Sequence, residues 1–151
     1  MHQTPTPEEL RIEQAARGLL GGLGRVSRIL FESGDFGLPR SYVNALDALE
    51  PGPLRVTELT GPTGLTQPRV TVVLQHLEER GLIERHRCSE DRRSIKAQLT
   101  PAGREVLETG RQHMAARLLE ALENVDHPEQ TVTAAREAVC SLLKALEPEV
   151  S

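Results

Sequence analysis

Apolar residues recur at helical spacing through most of the chain. Ile12, Ala16, Leu19, Leu23, Val26 and Leu30 step by three and four, which predicts a helix from Glu8 to about Glu32. Thr6-Pro7-Glu8-Glu9 is its start signal: a capping hydroxyl, proline in the first turn, then acids facing the positive end of the helix dipole. Gly18, Gly21, Gly22 and Gly24 fall inside this helix and weaken it by about 1 kcal/mol each relative to alanine. Their clustering implies close packing against a neighbour, or a bend. A loop is expected at Ser33–Leu38, then a second helix over Pro39–Glu50 with Tyr42 or Val43, Leu46 and Leu49 inward, closed by Pro51-Gly52-Pro53. Arg55–Thr60 reads as a short helix with Val56 and Leu59 inward, broken at Gly61-Pro62-Thr63-Gly64.

Thr66 is expected to cap a further helix reaching about Arg80, with Val70, Val73, Leu74 and Leu77 inward and Gly81 as a left-handed stop. The period then changes to two. Leu82–Arg87 and Ile95–Leu99 read as strands joined by the polar turn Ser89–Ser94. Thr100-Pro101 opens a long helix to about Val125, with Val106, Leu107, Met114, Leu118 and Leu122 inward. After Asp126-His127-Pro128, a last helix carries Val132, Ala135, Val139, Leu142 and Leu146 as a narrow stripe. The expected fold is mainly α with a small β-hairpin wing: a winged helix-turn-helix plus N- and C-terminal dimerisation helices. The expected divisions are an N-terminal dimerisation helix and loop (1–37), a winged DNA-binding unit (38–104) and C-terminal dimerisation helices (105–151). The terminal stripes are heptad-like, and a second copy of the chain is the simplest cover for them.

Composition narrows the function. The aromatics are Phe31, Phe36 and Tyr42 alone among 151 residues, too few for a base-stacking platform that would hold single strands. The net charge of −4 opposes generic polyanion binding, but charge is unevenly spread. Thr66–Arg104 holds eight basic residues against five acidic ones, whereas the rest holds 10 against 17. A cationic middle between anionic ends suits one face built for phosphates. No apolar run reaches the roughly 20 residues of a bilayer span, and the polar N-terminus is unlike a secretory signal. Cys88 and Cys140 form no disulfide framework or paired motif, so a reducing cytoplasm is expected. No phosphate loop, HExxH or GxSxG is present, so neither enzymatic activity nor a cofactor is expected.

The segments Glu58-Leu59, Gly64-Leu65-Thr66-Gln67-Pro68, Leu77-Glu78-Glu79-Arg80-Gly81-Leu82-Ile83-Glu84-Arg85, Asp91-Arg92-Arg93 and Leu99-Thr100-Pro101-Ala102-Gly103-Arg104 together resemble the multiple antibiotic resistance regulator (MarR) family. They cover about Leu54–Val106, and the flanking helices match in position and character. The resemblance implies a homodimeric, cytoplasmic bacterial transcription factor. Such a protein is a repressor at a pseudo-palindromic double-stranded operator, released by a small aromatic or phenolic ligand or by oxidation. Gly61-Pro62-Thr63 departs from the family's helix-forming pattern at that point and implies a short or frayed third helix.

On this reading the helix from Thr66 enters the major groove. Gln67, Arg69, Thr71 and Gln75 face the bases, beside Pro68 at the helix start, and Thr66 caps the helix or holds a phosphate. At the wing, the resemblance implies that Arg93, braced by Asp91, enters the minor groove. Arg92 and Lys96 are expected to meet phosphates. The family's effector pocket would draw here on Phe31, Phe36 and Tyr42 as walls, with Arg25, Arg28 or Arg40 pairing a carboxylate; the plainer expectation is that these aromatics close the core. Cys88 follows Arg85-His86-Arg87, cations that favour a thiolate, so a redox-responsive regulator is an alternative. Cys140 is expected to be inert packing. His86 and Cys88 lack further ligands, so no metal site is expected. A winged-helix module that docks protein instead of DNA is a third reading, opposed by the basic wing tip.

Overall fold

The computed structural model describes residues 3–91 and 93–147. The element order is α1 (Pro7–Gly34), α2 (Arg40–Ala48), β1 (Leu54–Arg55), α3 (Val56–Thr63), α4 (Gln67–Glu79), β2 (Ile83–Arg87), β3 (Ile95–Leu99), α5 (Pro101–Leu122) and α6 (Pro128–Leu146). The winged helix-turn-helix and its flanking helices are therefore as the patterning predicts. The chain divides into two compact units, residues 1–115 and 116–151.

The first unit owes its core to the interior stripes of α2, α3 and α4 closing on the sheet. Leu46, Leu49, Leu59, Val70, Leu74, Leu77, Ile83 and Leu107 are its largest fully buried side chains. Each contributes about 1.5–3 kcal/mol of hydrophobic stabilisation. Antiparallel pairing runs from Ile83 opposite Leu99 to Arg87 opposite Ile95. That register turns Ala97 and Leu99 into the core and leaves Lys96 and Gln98 on the other face.

Three details depart from the sequence-based expectation. The sheet has a third strand: Leu54–Arg55 pairs with β3 at Ala97 and Lys96, giving the order β1-β3-β2. Two residues carry no readable alternation, and only their approach to β3 makes them a strand. Second, the helix expected to break at Gly61-Pro62 continues to Thr63. Pro62 lies in the last turn, so its missing N–H deprives only one carbonyl of a partner. The buried Thr63 hydroxyl donates to the Leu59 carbonyl and accepts from the Leu65 N–H, and the Gly64 N–H donates to the Thr60 carbonyl. Gly64, at φ 69°, then makes the left-handed stop, so the third helix is neither frayed nor cut short. Third, α5 ends at Leu122, and its buried positions are Gly103, Leu107 and Gly110. Val106, Met114 and Leu122 are only half-buried, and Leu118 is exposed.

The α5 glycines are contact points. A β-carbon at Gly103 would land on the Leu82 carbonyl oxygen and the Leu99 side chain, and one at Gly110 on the Phe36 ring. Arg111 ties α5 to α2 through Asp47 and Glu50. The α1 glycines differ: a β-carbon at Gly18, Gly21, Gly22 or Gly24 meets nothing within 4 Å, so the expected close packing has no counterpart within the described chain. The Thr6–Glu9 capping box forms at the predicted start, and α1 runs to Gly34, two residues into the expected loop. Leu10, Ile12, Leu19, Leu20, Leu23, Val26 and Ile29 of this helix are exposed.

In the second unit, α6 has no buried residue, and Val132, Val139, Leu142, Leu143 and Leu146 are exposed. Cys140, expected to pack, is exposed as well.

Gly103→Ala is expected to destabilise the fold by about 1–3 kcal/mol, because the obstructing atom is backbone and cannot rotate away. Gly61→Ala, with open space around it, should be neutral or slightly stabilising. Urea unfolding followed by circular dichroism distinguishes the two.

Candidate nucleic-acid interface

The helix-turn-helix is built by α3, the turn Gly64-Leu65-Thr66 and α4. Burial of Val70, Val73, Leu74 and Leu77 dictates which residues α4 turns outward. Gln67, Pro68, Arg69, Thr71 and Gln75 are all exposed. The helix also exposes a residue that patterning missed. Val72 is 50% exposed, and its branched methyls suit contact with a thymine methyl. The available signal was its position outside the 70, 73, 74, 77 set. Thr66 occupies the N-cap position, but its side chain makes no capping bond, so the expected cap is backbone geometry alone. Thr71 donates to the Gln67 carbonyl at 3.1 Å, and Gln75 lies 3.5 Å from Glu79.

The wing's turn is organised by Asp91. Its carboxylate accepts the Arg93 backbone N–H at 3.0 Å and the Ser94 hydroxyl at 3.3 Å. The Cys88 N–H donates to the Ser94 carbonyl at 2.8 Å, continuing the ladder beyond Arg87. Asp91 thus braces the backbone that carries Arg93, whose side chain is exposed and has no ion-pair partner among the described residues. Lys96 is half-buried on the sheet face away from the core. The expectation for Arg92 lies outside the described residues.

Charge pairing separates structural from free cations. Arg85 donates to Glu78 at 3.0 Å through its side chain and at 3.2 Å through its backbone N–H, joining the end of α4 to β2. The Arg85 hydrogen bond, above all, holds the Glu78 carboxyl below the usual carboxylate range. Arg69, Arg93 and Lys96 have no carboxylate within 4 Å among the described residues, so their charge faces outward.

The residues expected around an effector are divided. Phe31 and Phe36 stack at 5.3 Å, and the Arg40 guanidinium lies 5.4 Å from the Phe31 centroid while bonding to Ser27. Arg25 and Arg28 are exposed on α1. Tyr42 is engaged with α4 instead: its hydroxyl is 2.6 Å from His76 Nδ1, and the rings stack. It lines a recess of about 400 Å³ with Leu38, Pro39, His76, Glu79 and Arg80. Cys88 is half-buried, and backbone N–H groups of Glu90 and Asp91 hold its thiol below its ordinary value, with Arg55 and Lys96 assisting. No group of metal-ligating side chains occurs among the described residues.

A three-helix unit with an exposed fourth-helix face and a basic, turn-braced hairpin defines a winged helix-turn-helix protein. The MarR family model matches residues 36–94, which hold α2, β1, the helix-turn-helix, β2 and the turn of the wing. That segment of the chain is therefore similar to the MarR family. The RV1404 protein of Mycobacterium tuberculosis shares the fold at TM-score 0.73 and 20% identity, over 98% of this chain and 100% of that one. Sco3205, a MarR family transcriptional regulator of Streptomyces coelicolor solved in complex with DNA, matches at TM-score 0.60 and 24% identity, over 99% of this chain and 95% of that one. A probable transcriptional regulator of Pseudomonas aeruginosa is 28% identical over 81% of this chain and 92% of its own, at TM-score 0.58.

Glu78→Gln is expected to lower stability by about 0.5–1 kcal/mol at neutral pH, a figure kept small because the pair is partly exposed. Because folding depresses this carboxyl's pKa, its contribution is full above the unfolded carboxylate pKa and is lost as pH falls through the folded value. Denaturant melts of parent and variant should therefore converge in acid.

Proposed function

We propose that the chain is a dimeric, sequence-specific regulator of transcription that binds double-stranded DNA in the cytoplasm. The observation carrying this reading is the pairing of an exposed polar α4 face with unneutralised cations at the wing. In that docking, α4 lies in the major groove with Gln67, Arg69, Thr71, Val72 and Gln75 toward base edges, beside Pro68. Thr66 sits at the phosphate-facing helix start. Arg93 enters the adjacent minor groove, held by the Asp91-braced turn, while Arg92 and Lys96 meet the backbone. Sco3205 is the related example with DNA bound. Localisation in the cytoplasm accords with a DNA-binding role, and among the described residues no helix is long and apolar enough to cross a membrane.

Residues 1–37 and 105–151 supply the dimer contacts. The exposed apolar side chains of α1 and of α6 are the surfaces a second copy would cover. The open space beside Gly18, Gly21, Gly22 and Gly24 would admit a partner's backbone or side chains. The regulator acts as a repressor, and a small aromatic or phenolic ligand releases it. The Phe31–Phe36–Arg40 cluster provides stacking and a cation for such a ligand, with Arg25, Arg28 and Tyr42 on neighbouring surfaces.

A second reading has one specific observation behind it. The Cys88 thiol, its pKa lowered where β2 enters the wing turn, would make DNA binding sensitive to peroxide. Cys88→Ser should then abolish that sensitivity, while a parent protein whose DNA binding is unaffected by peroxide would dismiss the idea.

Arg93→Ala is expected to weaken binding about tenfold at every duplex while leaving the dimer intact, and Arg69→Ala to cost about 1–3 kcal/mol and alter sequence preference. Gel-shift titrations over a salt series test both; parent-like binding by both variants would reject the docking. Truncation before Pro128 should yield monomer or aggregate. A soluble dimer of the truncated chain in the ultracentrifuge would show that α6 is dispensable for assembly.

A further inference from the structure

A recess of about 390 Å³ lies between the wing and the start of α3, lined by Arg55, Val56 and Thr57 on one side and Arg93, Ser94 and Ile95 on the other. Two guanidinium side chains and two hydroxyls line it, and no carboxylate does. The nearest acids in sequence are already engaged: Glu58 accepts the Arg55 backbone N–H at 3.1 Å, and Asp91 accepts from Arg93 and Ser94. Since the Ser94 hydroxyl donates to Asp91 and one Arg55 N–H reaches the Cys88 thiol, the donors left for a ligand are the remaining Arg55 N–H groups and the Thr57 hydroxyl, with the Arg93 charge nearby. Neither arginine forms an ion pair among the described residues. Arg55 also stands opposite Lys96 in the β1–β3 register, so a third cation shares its sheet face. Sequence patterning read Arg55 and Thr57 only as the start of a short helix; that Arg55 belongs to a strand beside the wing is decided in the folded chain.

We propose that this recess receives a backbone phosphate of bound duplex DNA, held by Arg55 and Thr57 from the β1–α3 junction, with the wing turn at Arg93 and Ser94 as its other wall. The chemistry is that of a donor-only site with strong positive charge, which suits a phosphate. The walls supply no aromatic face for an aromatic acid. The inference rests on the DNA-binding reading and adds to it. When α4 occupies the major groove and the wing the next minor groove, a sugar–phosphate strand passes between them. A phosphate held by the β1–α3 junction against the wing turn would fix the wing's register on the duplex, independently of base sequence.

The test uses the full-length protein, an operator duplex recovered from a random-sequence pool, and an unrelated duplex. Arg55→Gln is expected to weaken binding to both about tenfold and to reduce the slope of log affinity against log salt by about one. Thr57→Val should weaken both about threefold with the slope unchanged. Thr57→Val also carries the test if thermal melts show that Arg55→Gln unfolds. Neutral methylphosphonates placed singly along the operator should reveal one position that weakens the parent but leaves Arg55→Gln unchanged. If Arg69→Ala and Arg93→Ala lose affinity while both recess variants bind like the parent, the recess proposal is overturned and the DNA reading stands. If the parent binds no duplex, the DNA reading itself fails. If inorganic phosphate binds the free protein through Arg55, yet no methylphosphonate position couples to it, the recess is a free-anion site and the proposal is overturned.

Discussion

The structure depends on one face of α4 staying buried. Val70, Val73, Leu74 and Leu77 fill the space between α2, α3 and the sheet. Helical geometry then leaves no freedom about the opposite face: Arg69, Val72 and Gln75 must point outward together. Any loss of that burial would rotate or melt the helix and scramble the surface. The polar face is thus specified by the apolar one, and the proposed recognition is a by-product of core packing.

The same helix is fastened at its far end. Glu78 takes both a side-chain and a backbone hydrogen bond from Arg85, and the Tyr42 hydroxyl meets His76. These contacts link α4 to the wing strand and to α2. Glycine shapes the rest of the frame. Gly64 and Gly81 supply left-handed turns on either side of α4, and Gly103 lets α5 approach the Leu82 carbonyl. Each is placed where a β-carbon would strain the backbone or collide.

Charge follows a division of labour. Arg85 and Arg111 are spent on joining elements, where neighbouring carboxylates neutralise them. Arg69, Arg93 and Arg55 lack such partners among the described residues and are exposed. The net negative charge of the whole chain does not register at that face, because screening confines each charge to its own surroundings. The apolar surfaces of α1 and α6 are the corresponding unfinished feature at the chain's ends.

Most of this organisation was legible in the residues. Periods of 3.6 and 2, proline and glycine punctuation, and the Thr6–Glu9 capping pattern are local signals, and local geometry enforces them. The α4 core set and the Asp91–Arg93 turn were readable for that reason. Other features were decided only when distant segments met. Leu54–Arg55 became a strand because β3 lay alongside, and α3 passed through Gly61-Pro62 because Thr63 was buried with its hydroxyl bonded. Tyr42 went to His76 rather than to the other aromatics because α2 faces α4 at that point. A sequence determines which stretches will be helix or strand through interactions between near neighbours. Which side chains then converge, as Arg55 does with Arg93, depends on contacts spanning tens of residues, and only the folded chain brings those together.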